Sequence, residues 1–420
     1  MPTPSDTQKI GPFNLGVNTR LPDTQLKAEG GTFLRSAVNI DISTPGTIKR
    51  RAGYARALNA VDAHSLYATE NEAYFVDGTV LYRLSGTPTA LVKTAVRTGL
   101  RPGQLLSYDT INERIIYTDG MTVRRLDGLA DKPLGVATME RAPVVMAGGP
   151  GALPAGRYQV CFAYINAELE QSGTTQPVQV NVPENGSIAI SDLPAAFPSG
   201  VVGVAIYMTH PNGDQLYFYR TLTLAATTHT IPALSVLTGR AQTLLMRPLP
   251  GGSIVRHNNG RLLVAKGKVL FYSEPFAPAL HYPHKGFIPF DTDIAVVESL
   301  KTGTYVATQD ASYFFQGDIA DATAEKVLPY GAVPGTGGAS PDRLKCWWMS
   351  VRGLVQATEQ GVVNVQEKNV AINPAGAGAS LYREQNGLKQ VVTSLFDSEA
   401  TGASAYTFME AEIIRKRTTL

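Results

Sequence analysis

Gly260-Arg-Leu-Leu-Val-Ala-Lys-Gly-Lys-Val-Leu-Phe-Tyr-Ser273, Gly303-Thr-Tyr-Val-Ala-Thr-Gln-Asp-Ala-Ser-Tyr-Phe-Phe-Gln-Gly317 and Gly353-Leu-Val-Gln-Ala-Thr-Glu-Gln-Gly-Val-Val-Asn-Val-Gln366 repeat one pattern. In each, an apolar run rich in β-branched and aromatic residues meets a short polar turn, and a second such run follows at once. That is the signal of a β-hairpin. Two earlier stretches match. Leu66 to Val76 turns at Asp77-Gly78 into Thr-Val-Leu-Tyr-Arg-Leu, and Leu105 to Tyr117 turns at Asp119-Gly120 into Met-Thr-Val-Arg-Arg-Leu. Gly78 and Gly120 are 42 residues apart, Gly267 and Ala311 are 44 apart, and Ala311 and Gly361 are 50 apart. Pure β structure recurring at about 40 to 50 residues predicts propeller blades, each of three or four strands.

One interval breaks the period. Gly120 and Gly267 are 147 residues apart, which is one blade plus about 100 residues. The surplus lies between Ala142 and about Pro232, where Pro and Gly clusters separate short alternating runs such as Gly156-Arg-Tyr-Gln-Val-Cys-Phe-Ala-Tyr-Ile and Val202-Gly-Val-Ala-Ile-Tyr-Met-Thr. About seven short strands with closely spaced turns predict an inserted sandwich. It lacks the paired Cys and core Trp of antibody domains, so the fibronectin-like variant is expected. The resulting organisation is an extended N-terminal arm at 1–32, the first part of a propeller of five or six blades at 33–140, the sandwich at 141–235, the second part of the propeller at 236–400, and a C-terminal strand and basic tail at 401–420. Pairing of the N- and C-terminal strands would close the ring.

Composition agrees with an all-β chain. Of 420 residues 40 are Gly, 27 Pro and 18 Tyr, and only 17% are charged, which favours strands and turns over long helices. A formal net charge of +2 gives no case for general attraction to nucleic acid. Met1-Pro-Thr-Pro-Ser-Asp lacks the basic-then-apolar pattern of a signal peptide, and no apolar window reaches about 18 residues, so the expectation is a chain made in a cytoplasm with no spanning segment. Cys161 and Cys346 each sit inside an apolar run and are expected to be buried free thiols.

No catalytic, metal or cofactor residue is assigned. His281-Tyr-Pro-His284 has ligand-type spacing but no local Cys or carboxylate beside it. Asp291-Thr-Asp293 and Asp318-Ile-Ala-Asp321 lack the Gly and terminal Glu of a calcium loop. Neither a nucleophile elbow nor a phosphate-binding Gly loop is present. A pair of opposed carboxylates, as glycoside hydrolysis needs, stays open. Two stretches are candidate contact surfaces. Lys49, Arg50 and Arg51 cannot all face one side of a strand; they are either a solvated edge or a contact for acidic protein or phosphate. The loop from Ser273 to Phe290, containing His281, Tyr282, His284 and Phe287, is too rich in Pro for a central strand.

The order of parts carries a resemblance. An arm, then Leu34-Arg-Ser-Ala-Val-Asn-Ile-Asp-Ile, a Gly turn and Ile48-Lys-Arg-Arg-Ala-Gly-Tyr54, resembles the opening of tail proteins from tailed bacteriophages. Those carry Leu/Arg-x-Ala-x-Asn-Val-Asp and then a run of Arg before Pro-Gly-Tyr; here Ala52 stands where Pro is usual. Asn258-Asn-Gly-Arg-Leu-Leu-Val-Ala, Phe271-Tyr-Ser-Glu-Pro-Phe and the stretch from Gly303 to Gly317 resemble their propeller repeats. The resemblance spans about residues 14 to 370. It implies a nozzle or hub protein of the virion tail, assembled in the host bacterial cytoplasm. Such a protein is not an enzyme and has no cofactor. It forms a ring, expected to be a hexamer, below portal and adaptor proteins, extends the DNA channel, and neighbours tail fibre or tail-tip proteins. The arm, Lys49 to Arg51 and the loop from His281 to Phe290 are then expected to be subunit contacts. Three alternatives remain at this stage: a carbohydrate-binding or glycosidase propeller, another tail-tube or baseplate component, and a monomeric interaction scaffold.

Overall fold

The computed structural model describes residues 11–396 except 44, 52, 54, 88, 371–374, 386 and 387. Among these the only helical element is a 3-10 turn, Asp23–Gln25, and everything else is strand, turn or loop. Five four-stranded antiparallel sheets follow one another at residues 63–97, 107–133, 254–289, 294–328 and 338–364, each with its strands in sequential order. The repeat positions Gly78, Gly120, Gly267 and Ala311 fall at the turn between second and third strands, whereas Gly361 falls at the turn between the third and fourth strands of its sheet, because the short strand Gly338–Ala339 is added before the repeating hairpin.

Each sheet packs face to face on the next, as blades do. Tyr74, Val76 and Leu81 of the first meet Tyr108, Ile115 and Tyr117 of the second. Ile116 and Val123 of the second meet Val255 and Val264 of the third. Leu263 and Leu270 of the third meet Val297 and Val306 of the fourth, and Tyr305 and Ala307 of the fourth meet Trp348 and Val355 of the fifth. Alternation along each strand puts one apolar set on each face, so a middle blade is buried on both. The fifth blade continues the series onto a two-stranded hairpin, Ala377–Gln385 with Leu388–Phe396, through Trp347, Met349, Val391 and Leu395. The chain is a β-propeller with a β-sandwich inserted between its second and third blades.

The two turns read as Asp-Gly hairpins close differently. Gly78, at φ +63°, takes a two-residue turn between Asp77 and Val80. At Gly120 the loop has four residues, and the Asp119 carboxylate caps it by accepting hydrogen bonds from the Met121 and Thr122 backbone N–H at 2.9 and 2.7 Å. The Pro-rich stretch also contributes strands. Phe287–Pro289 is the outer edge of the third blade, where a missing N–H costs no ladder bond, and Leu280–His281 pairs with Arg247–Pro248.

Eight strands between Val144 and Arg240 form the sandwich. The first, fourth and seventh make one sheet; the other runs third, second, fifth, sixth, eighth. The module extends past residue 235 because Thr238–Arg240 pairs with Tyr217–Thr223. Its long second strand, Gly156–Asn166, is covered on both faces. Val160, Phe162 and Tyr164 point between the sheets, while Cys161, Ala163 and Ile165 lie under Leu216 and Leu244. Burial pushes the Cys161 thiol up to about 12, and that of the buried Cys346 well above its ordinary range, so both are free and unreactive at neutral pH.

The arm is not extended over residues 11–32. Phe13 N–H donates to the Gly46 carbonyl, Asn18 N–H to Leu34 and Thr19 N–H to Asn369, so this segment is bound to its own chain. Residues 1–10, and the C-terminal strand and basic tail expected at 401–420, lie outside the described residues. The N-terminal hairpin Ile40–Ile42 with Ile48–Arg50 and the C-terminal hairpin form separate two-stranded sheets. They meet through side chains: Asp41 accepts from Arg383 at 3.3 Å and from Gln390 at 3.4 Å.

Candidate functional site

The first strands of consecutive blades run side by side along the propeller axis, and their mid-points carry the charged residues that an axial site would use. Asp109 comes from the second blade, Arg256 from the third and Glu298 from the fourth. Arg343 reaches in from the loop between the first two strands of the fifth, where its carbonyl accepts from Lys301 N–H. Tyr67 of the first blade donates to or accepts from Thr110 Oγ1 at 2.8 Å and stacks on Tyr108.

These charges are consumed by one another. Arg256 grips Glu298 with two bonds, Nη2 to Oε1 at 2.7 Å and Nε to Oε2 at 3.2 Å, and its Nη1 donates to the Val255 carbonyl at 2.8 Å and Ser107 Oγ at 3.1 Å. Arg343 Nη2 donates to Asp109 Oδ1 at 2.6 Å, and its Nη1 to the His257 carbonyl at 2.9 Å. Asp109 accepts further from the Thr110 and His257 backbone N–H at 2.7 and 2.6 Å. Burial would lower the Arg256 pKa, but the Glu298 charge outweighs it and holds the guanidinium above its usual value. Burial keeps the His257 pKa below that of a free imidazole, although Asp109 pulls the other way; its Nε2 accepts from Gly260 N–H at 3.2 Å.

A glycosidase needs two carboxylates across a cleft, one protonated to serve as acid and the other open to water or sugar. Asp109 and Glu298 are the buried axial carboxylates, with side chains 5% and 3% exposed, and each is committed to a guanidinium. They form struts between blades. Among the described residues no group of three or more His, Cys, Asp or Glu side chains is placed to hold a metal ion, and no helix is long and apolar enough to cross a membrane.

The residues singled out from sequence divide into exposed and buried. Lys49 and Arg50 are exposed on the second strand of the N-terminal hairpin. Arg51 is not available as a contact: it is 5% exposed and its guanidinium lies 2.5 Å from Asp41. Burial would raise the Asp41 carboxyl, yet the Arg51 hydrogen bond and charge bring it below the ordinary value. His281 is likewise buried, its Nδ1–H donating to the Arg247 carbonyl at 3.2 Å and its ring edge-on to Phe271. Burial lowers its pKa, and it cannot act with His284. Tyr282, His284 and Phe287 stay nearer the surface; the Tyr282 and His284 rings are 5.5 Å apart, with Lys285 Nζ over Tyr282. The axial pairs were missed in sequence. Their signal was a charge inside an otherwise buried strand, as in Ile294-Ala-Val-Val-Glu-Ser-Leu300.

No family model matches the chain, and no curated protein matches it. Among solved structures it is similar to the WD40 domain of Neurospora crassa Pan2, at 8% identity over 80% of this chain and 86% of that one, with a TM-score of 0.33. The AfRom2 CNH domain overlaps at 10% identity over 80% and 91% of the two chains, with a TM-score of 0.29. BBS1N, solved in complex with ARL6DN, overlaps at 10% identity over 82% and 93%, with a TM-score of 0.33. Overlaps this loose say nothing of function, and the propeller stands on its own sheets.

Proposed function

We propose that this chain is a structural protein of a bacteriophage tail, a nozzle or hub subunit that assembles into a ring, taken as a hexamer, and extends the DNA channel below the portal and adaptor. The observation that carries the reading is the axis of the propeller, where Asp109 and Glu298 are locked to Arg343 and Arg256 instead of facing a cleft. Such cross-blade ties suit a stiff block, and they commit Asp109 and Glu298 to guanidinium partners. The phage assignment itself draws on the resemblance carried by Leu34 to Tyr54 and by the propeller repeats. The protein acts as a non-enzymatic ring member that holds the genome and then passes it, with Lys49 and Arg50 at an exposed hairpin as subunit or channel contacts. A conduit gains from few cations on its wall, since each neutralised phosphate adds affinity and slows passage.

Mass measurement of the purified protein, alone and mixed with portal–adaptor complexes of candidate host phages, tests this. A ring, or a ring formed on the portal complex, is expected. A monomer that joins no portal complex, or turnover of glycosides lost on Asp109→Asn, overturns it.

A further inference from the structure

Three buried oxygen atoms at one seam of the propeller lack partners: Asn258 Oδ1, Ser299 Oγ and Thr304 Oγ1. Their residues are 6%, 1% and 0% exposed. They are neighbours by construction of the fold. Ser299 and Thr304 face each other across the first hairpin of the fourth blade, and Asn258 Nδ2 donates to the carbonyls of Leu300 and Gly303, the residues between them. All three side chains point into the same interface. Thr304 shares a strand face with Val306, and Ser299 with Val297, and both valines pack against Leu263 and Ala265 of the third blade. Leu300 and Tyr305, on the opposite face, pack toward the fifth blade. Asn258 shares a face with Arg256, which reaches Glu298 of the fourth blade.

The orientation of the Asn258 amide is fixed, because turning it over would set its oxygen against two carbonyls. Its oxygen is therefore an acceptor with no donor, beside two hydroxyls that can each donate or accept. Buried acceptors of this kind are ordinarily satisfied, and leaving one unmade costs about 1–3 kcal/mol. The donor set is neutral. Glu298, the nearest carboxylate in sequence, is neutralised by Arg256, and the two carbonyls at the turn already accept from the amide, so little remains to pay for dehydrating a cation. We propose that this seam between the third and fourth blades is a binding site for one water molecule. The water donates to Asn258 Oδ1 and to one hydroxyl and accepts from the other, adding a second tie between the blades beside the direct bonds of the Asn258 amide.

The test is a crystal structure of the intact protein at a resolution that shows ordered water, with the isosteric variant Thr304→Val beside it. The expected result is a single peak at hydrogen-bonding distance from all three oxygens, lost in Thr304→Val, which melts about 2 °C lower. Direct hydrogen bonds among the three side chains without a peak overturn the proposal. So does a peak at metal–oxygen contact lengths, which makes the ligand a cation, or a variant that keeps both peak and Tm. Should Thr304→Val not fold, the wild-type density decides alone.

Discussion

Glu298 and Arg256 show what a single buried charge does in this chain. Glu298→Gln keeps the shape but leaves the Arg256 guanidinium without its counter-charge. It is expected to destabilise the propeller by about 3 kcal/mol, read as a lower urea midpoint. Asp77 gives a pH-dependent case. The Lys93 hydrogen bond, followed by that from Asp62 N–H, holds its carboxyl at about 2, below the ordinary 3.8. Its contribution to stability is therefore fully present above about pH 4 and is lost as the pH falls through about 2. Asp77→Asn should destabilise at pH 7 by about 1 kcal/mol and match the wild type at the acid end, measured by thermal melts across that range.

At the scale of elements, the sandwich is held to the second blade by charge. Arg125, 7% exposed in its side chain, pairs with Glu168 and, at 3.5 Å, with Glu170; Lys132 and Arg114 lie 3.4 and 3.7 Å from Glu168. Asn166 shapes the acidic turn by accepting from the Glu168 and Glu170 backbone N–H. Arg125→Ala should loosen this docking without unfolding either part, seen as faster proteolysis at the joining segments and a larger radius in solution scattering. Raising salt should weaken the wild-type contact less than the exposed Arg114 pair, because Arg125 is shielded. Such elements differ in how far sequence announces them. Hairpins were legible because turn chemistry and β-branched runs are local. The outer Pro289 strand was not, since edge and loop look alike until a neighbour is placed. Arg51 was misread for the same reason: Asp41, opposite Lys49 in the register, accepts from the Arg51 guanidinium two positions further on and holds it inward. Likewise nothing local to Asp109 points to Arg343, 234 positions away.

For the whole molecule, the covered faces of the middle blades contrast with the first blade, whose outward face presents Leu66 at 66% exposure. The two terminal hairpins lean on each other only through Asp41, Arg383 and Gln390 among the described contacts between them. Asp41→Ala removes the shared acceptor and strands Arg51, so it should lower the thermal midpoint and, if ring assembly uses the N-terminal hairpin, shift the mass distribution toward smaller species. Lys49→Glu with Arg50→Glu, both at exposed positions, should leave the melt unchanged while altering assembly. On the proposed ring, an assembly indifferent to both changes would place the subunit contact elsewhere.

The joining segments on either side of the sandwich have a consequence for exchange of parts. The outgoing segment passes Ala279 so closely at Gly135 that a side chain there would collide with it, and the returning one bonds the same residue, Leu249 N–H to the Ala279 carbonyl at 2.9 Å. Departure and return thus share one anchor on the third blade. A short Gly-rich splice between the two points could replace about a hundred residues while leaving the propeller's strand order intact. The sandwich is mounted as a cassette, so another module could take its place and change what the outer surface of the chain meets without redesigning the frame.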